Sequence, residues 1–162
     1  MKRFLIISVL VLILASCKKS NSGDIVPTNT ITATINGTNY IFDKNAYTSI
    51  DVDDYGEEIS LNVLDSNSNS LRIFINATGK IKSTTYSSTM DSTGQYGFFS
   101  LNTPVDSITY EPAVTIPNPV TVTVTSITSA AIQGTFQGTI FPSGDVHGVS
   151  KIITNGKFSV AR

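Results

Sequence analysis

The sequence predicts an all-β fold, a single antiparallel β-sandwich or partly open β-barrel domain of about 8–11 strands. Three observations lead there. Serine and threonine make up about a quarter of the chain and recur with valine and isoleucine, and β-branched side chains pack well on a pleated surface. Apolar and polar residues alternate in stretch after stretch, which is the period of a strand with one buried face. No window of helical periodicity is long enough to compete.

The elements follow in order. Ile31, Ala33 and Ile35 alternate with threonines into Asn36-Gly37 and out to Tyr40-Ile41-Phe42, the strongest short-range hairpin signal, since both turn residues tolerate positive φ. A third strand covers Ala46 to Ile50. Ile59, Leu61 and Val63 pair across the polar run 65–70 with Leu71, Ile73, Ile75 and Ala77, and Phe74 points away from the apolar face of that pair. Gly79 to Ser88 reads as an edge-like strand. After the turn 90–94, Tyr96 and Phe98 fall on one face of a strand and Phe99 and Leu101 on the other. An aromatic strand of this kind serves as a glycan platform in some proteins and as buried sheet core in more. Pro104, Pro112, Pro117 and Pro119 make an irregular crossing with one short strand around Ser107 to Tyr110, since proline cannot donate to a ladder. Val120, Val122 and Val124 alternate with threonines, and Ile132 to Ile140 forms the next strand. Lys151 to Arg162 supplies a last pair of short strands around Asn155-Gly156.

The first residues carry a different message. Lys2 and Arg3 precede the apolar run Phe4 to Ala15, then Ser16-Cys17, the order of a signal peptide. The run is about 12 residues, and a membrane-spanning helix needs roughly 20. Leu14-Ala15-Ser16-Cys17 resembles the lipobox of bacterial lipoproteins. That resemblance implies a leader over 1–16, cleavage before Cys17, and lipid attachment at the Cys17 thiol, with two or three acyl chains holding the protein to a membrane. Cys17 is the single cysteine, so no disulfide framework exists within one chain. Residues 17–28 read as the lipidated cysteine and a flexible tether, and residues 29–162 as the β domain. Lys18 directly after the cysteine resembles outer-membrane lipoproteins, with the periplasmic face favoured over the cell surface.

Without Lys2 and Arg3, 9 basic residues face 12 acidic ones, a formal charge of −3. Nothing in that balance attracts nucleic acid. Five carboxylates crowd Asp51 to Glu58, so they are solvated, paired or neutralised by a cation. Asp51, Asp53 and Gly56 match positions 1, 3 and 6 of a calcium loop, but Asn62 stands where the bidentate glutamate belongs. Asp51, Asp53, Asp54 and Glu57 are therefore the calcium candidates, set against a solvated hairpin loop, which is the reading adopted, with no metal assigned. His147, between Asp145 and Gly148, is the only histidine; with no second histidine and no free cysteine to join it, it reads as a surface residue. Ser143-Gly144-Asp145 lacks the strand-to-helix elbow of a nucleophilic serine. The paired carboxylates of a glycosidase can come from anywhere in a chain, so Glu111 joins the acidic residues as a candidate, yet the clustering of the others on one loop favours solvation.

The Asn36-Gly37 hairpin, the strand Gln133-Gly134-Thr135-Phe136-Gln137-Gly138-Thr139 and the close Ile153-Thr154-Asn155-Gly156-Lys157-Phe158-Ser159-Val160 resemble a family of small bacterial (Bacteroidetes-type) lipoproteins of unknown function, with Gly-x-Phe-x-Gly and Asn-Gly-x-Phe strands. The resemblance implies a sandwich or partly open barrel and carries over no catalytic residue. The function expected is a lipid-anchored, non-catalytic envelope protein that needs no cofactor. It binds an envelope protein or a glycan, or else serves as a structural accessory subunit of an outer-membrane assembly; a hydrolase comes third.

Overall fold

The computed structural model describes residues 28–113 and 119–161; the leader, Cys17 and the tether up to Pro27 lie outside them. The described residues are all-β, without a helix. Eleven strands follow in chain order: β1 (Thr30–Ile35), β2 (Thr38–Phe42), β3 (Lys44–Val52), β4 (Gly56–Leu64), β5 (Ser70–Thr78), β6 (Thr85–Ser87), β7 (Tyr96–Thr103), β8 (Ile108–Glu111), β9 (Thr121–Ile127), β10 (Ala131–Pro142) and β11 (Lys151–Ala161). The fold class expected from the alternation is the one observed.

Nine strands form a continuous antiparallel path, β2-β1-β11-β10-β8-β7-β5-β4-β3, and β9 and β6 extend it from β10. The two ends of the path, β2 and β3, are consecutive in the chain with only Asp43 between them. The sheet therefore nearly closes on itself, as a barrel with a seam. Wall A holds β2, β1, β11, β10, β9 and β6; wall B holds β3, β4, β5, β7 and β8. Strand β10 belongs to both, pairing β9 through Ile132–Gln137 and β8 through Phe141–Pro142. Gly138, at φ 142°, stands where β10 leaves one partner for the other. A Cβ there would lie 2.7 Å from Val120 Cα, so the crossing needs glycine.

Side chains from both walls fill the interior. Ile31, Phe42, Ile59, Ile73, Phe99 and Phe158 are essentially inaccessible, each contributing about 1.5–3 kcal/mol by burial. Phe99 of wall B meets Phe136 of wall A with ring centroids 5.0 Å apart and planes tilted 58°, a favoured aromatic geometry.

The Gly-x-Phe-x-Gly and Asn-Gly-x-Phe segments pack against each other. Register pairs Gly134 with Phe158 and Phe136 with Gly156. A Cβ on Gly134 would sit 2.5 Å from the Phe158 ring and 2.2 Å from Thr123 O. One on Gly156 would sit 2.7 Å from the Phe136 ring and 2.3 Å from Phe136 O. Each glycine thus holds open the space that the opposite ring occupies.

Turn chemistry is repeated. Asn36 (φ 48°) and Gly37 (φ 84°) make the expected two-residue turn, and Asn36 also clamps β11, its Oδ1 accepting the Ile152 amide at 2.7 Å. Asp53, Asp65 and Asp91 each turn a loop by accepting two amides two to four residues on: Tyr55 and Gly56, Asn67 and Asn69, Thr93 and Gln95. The Thr93 hydroxyl above all, then the amides of Gln95 and Thr93, hold the Asp91 carboxyl below its ordinary value. This contribution to stability is present above the unfolded carboxylate's pKa and is lost as pH falls through the lower folded value.

Two sequence expectations are corrected. Within the stretch from Gly79 to Ser88 only Thr85–Ser87 is a strand. Lys151 to Ala161 is one unbroken strand, not two around a turn. Asn155, at φ 51°, is an extra residue inside it, where the register shifts against both β1 and β10. Asn-Gly here makes a β-bulge, since both flanking segments already have partners on either side.

Gly156→Ala and Gly134→Ala should each destabilise the protein by about 2–3 kcal/mol or abolish folding, whereas Thr135→Ala on the exposed side should cost under about 1 kcal/mol. Urea midpoints of the three variants check this, and equal midpoints would contradict it.

Candidate functional site

Strands β4, β5 and β7 lie side by side in wall B, and their period of two decides which residues face out. Ile59, Leu61, Ile73, Ile75, Phe99 and Leu101 go to the core. On the outside, register sets Ser60, Phe74 and Phe98 in one row. Glu58, Asn76 and Tyr96 form the row on one side, and Asn62, Arg72 and Ser100 the row on the other. Strand β3 continues the rows with Ser49, Asp51 and Tyr47. Four strands at about 4.8 Å spacing make this face about 14 Å across.

Three aromatic rings occupy its middle. The Phe74 centroid is 5.6 Å from that of Tyr96 and 5.1 Å from that of Phe98, and the Tyr96 and Phe98 rings are parallel within 2° at 6.4 Å. Phe74 is only 7% exposed although it faces outward, because the other two rings and Arg72 cover it. Arg72 Cζ lies 5.5 Å from the Phe74 centroid, a cation–π contact, and its Nε donates to Ser60 Oγ at 2.8 Å. Tyr96 and Phe98 keep part of their surface in solvent. Beyond Asn76 the face falls into a cleft lined by Asp51, Asp53, Tyr55, Glu58 and Gly94.

The outer face of wall A is different in kind. Ile41, Thr32, Lys157, Thr135, Thr123 and Thr85 form one row across it. Hydroxyl and amide side chains dominate there, with no aromatic ring in the row.

The acidic segment is divided by the same alternation. Asp51 opposes Glu58 across the β3–β4 pair, Asp53 is engaged with the turn amides, and Asp54 is exposed. Glu57 faces inward in line with Ile59 and Leu61. It is 3% exposed, and its Oε2 accepts the Ile81 amide at 2.8 Å. That bond pins the loop between β5 and β6, so that Ile81 and Tyr86 close the end of the core. The calcium candidates are thus divided: Asp51 lies on the outer face of β3, Asp53 and Asp54 in the turn, and Glu57 on the inner side of β4. Among the described residues no group of three or more His, Cys, Asp or Glu side chains is placed to hold a metal ion. Glu57 was legible: the period that buries Ile59, Leu61 and Val63 buries residue 57 as well.

Tyr86 completes this plug. Its hydroxyl donates to Lys82 O at 3.2 Å and accepts the Lys82 amide at 2.9 Å. Burial pushes the hydroxyl above the ordinary tyrosine value of 10.0; the Lys82 hydrogen bond works downward, and the Glu57 charge adds to the rise. The remaining candidates lie elsewhere. Ser143 Oγ donates to Glu111 at 2.6 Å, Asp145 accepts the His147 amide at 3.0 Å, and the His147 ring is exposed. These residues do not form a nucleophile, base and orienting group in sequence of hydrogen bonds.

Comparison with protein families, with curated proteins and with solved structures returned no match.

Removing the Glu57 acceptor leaves a buried amide unsatisfied, so Glu57→Ala should cost about 1–3 kcal/mol and hasten proteolysis in the loop before β6, measured by denaturant midpoint and limited proteolysis. Millimolar calcium should leave the melting temperature unchanged; a rise would reassign the acidic turn as a site. A raised folded pKa means that the contribution of Tyr86 is intact below the unfolded value near 10 and is lost as pH climbs to the folded one. Tyr86→Phe should accordingly flatten the alkaline loss of stability in that window, read from melting temperatures against pH.

Proposed function

We propose that this chain is a lipid-anchored, non-catalytic protein of the bacterial cell envelope, held at the outer membrane through Cys17, whose β domain is a binding module working through the outer face of wall B. The lipobox-like sequence supports the anchor. One observation carries the binding reading: three stacked aromatic rings, two of them partly exposed, sit among Arg72, Asn62, Asn76 and Glu58 on rigid neighbouring strands. An ordinary solvent-facing sheet side has no need of such rings, as the threonine-rich face of wall A illustrates. Aromatic surface ringed by a few oriented polar groups is the usual make-up of a recognition surface.

Two experiments on the full-length chain in cells test this. Cys17→Ser should move the protein from the membrane to the soluble fraction, and retention in the membrane would remove the anchor. A benzophenone side chain at Ser100, which inserts into C–H bonds of sugars and proteins alike, should give an adduct that Phe98→Ala abolishes. The same probe at Thr135 on wall A should give none. Equal labelling at the two positions, or none at Ser100, would overturn the binding-module reading. A single stoichiometric protein adduct would favour an accessory subunit instead.

A further inference from the structure

We infer that the outer face of wall B is a carbohydrate site, which takes a neutral glycan chain with a pyranose ring seated on Tyr96 and Phe98; this rests on the binding-module reading above. A pyranose ring is amphipathic. Its axial C–H groups form an apolar patch with slight positive charge, which suits the negative face of an aromatic ring. Its hydroxyls lie around the edge, and each both donates and accepts. A sugar site therefore wants accessible aromatic surface bordered by planar side chains of both hydrogen-bonding kinds. The face has this arrangement: Tyr96 and Phe98, parallel within 2°, are bordered by Arg72 as donor and Asn76 as both donor and acceptor, with Glu58 as acceptor one strand further on.

Charge and shape narrow the ligand further. Across the three rows Arg72 faces Asp51 and Glu58, so the surface is slightly negative and offers no basic cluster for phosphate, sulfate or uronate groups. A neutral sugar is favoured over a polyanion. Small ligands are normally enclosed in a concave pocket, whereas this face is open over four strands and continues into the cleft beside Tyr55, which is 85% exposed. That extent matches several linked sugars. The core of a protein–protein interface is depleted of charge and broadly apolar; here the aromatic surface is interrupted, with Tyr96 and Phe98 at one side of the face and Tyr47, 65% exposed, on β3 at the other, and charged and amide side chains between them.

Retardation of the full-length protein in native gels cast with soluble polysaccharides tests the inference. A polyoxyethylene detergent, which has no sugar headgroup, keeps the protein dispersed. The gels hold starch, mixed-linkage β-glucan, arabinoxylan or galactomannan, with polygalacturonate and heparin as anionic comparisons. At least one neutral polysaccharide should retard the protein, and Phe98→Ala and Tyr96→Ser should each weaken that binding tenfold or more, while Thr123→Ala on wall A changes it less than twofold. Asn76→Ala, a polar change beside the rings, should also weaken binding, so the claim stays testable if an aromatic variant fails to fold. No retardation by any neutral polysaccharide, retardation by the anionic ones alone, or binding that survives these substitutions would overturn the inference. If the Ser100 probe then still gave Phe98-dependent adducts other than a single stoichiometric protein, the carbohydrate assignment would fall and the binding module would stand.

Discussion

The exchange of rings for missing side chains between β10 and β11 is the constraint on which the rest of the architecture depends. Phe136 lies over Gly156 and Phe158 over Gly134, so two central strands are locked in register by shape, with no polar contact needed. A slip by one residue would drive both rings into backbone. Register in this pair fixes the bulge at Asn155 and sets where Gly138 redirects β10. It thereby fixes the angle at which wall B meets wall A. Phe136 then reaches across to Phe99, and Phe99 is on the strand that carries Tyr96 and Phe98 outward. The candidate site is one ring contact away from the lock that positions it.

Much of the fold was legible because alternation in this chain is seldom ambiguous. The runs 30–35, 59–63, 71–77 and 120–124 each state a face, and each is buried as stated. The two Asn-Gly pairs were not separable by local chemistry. Both present the same tolerance of positive φ. At 36–37 the flanking residues pair with each other, which gives a turn; at 155–156 they pair with β1 and β10, which gives a bulge. That difference lies in distant partners, which a window of neighbouring residues does not contain. The stretch 79–84 misled for a related reason. Its composition suits a strand, but Glu57 holds it as a loop through a bond spanning 24 residues.

The site was half legible. Tyr96 and Phe98 sharing one face followed from parity alone, as did Phe74 pointing away from the core. Their meeting required knowing that β7 pairs with β5, although β6 and two turns intervene in the chain. The acidic segment shows the opposite error, in which residues close in sequence were weighed as a group. A strand separates neighbours, so Glu57 and Glu58 have unrelated surroundings one position apart.

Among the described residues, the seam between β2 and β3 leaves β3 with an unpaired edge nine residues long, a length at which identical molecules are prone to add strand to strand. Its sequence discourages that. Asn45 bulges the strand at its start, where Lys44 and Asp43 form an exposed ion pair at 3.0 Å, and Asp51, Asp53 and Asp54 crowd its end. Two such edges aligned in parallel would set carboxylates against carboxylates at strand-pairing distance, and an antiparallel alignment would bring the acidic end against the start bulged at Asn45. The acidic turn and the bulge at Asn45 are in this sense features of an incompletely closed barrel that make its open edge a poor template for another strand.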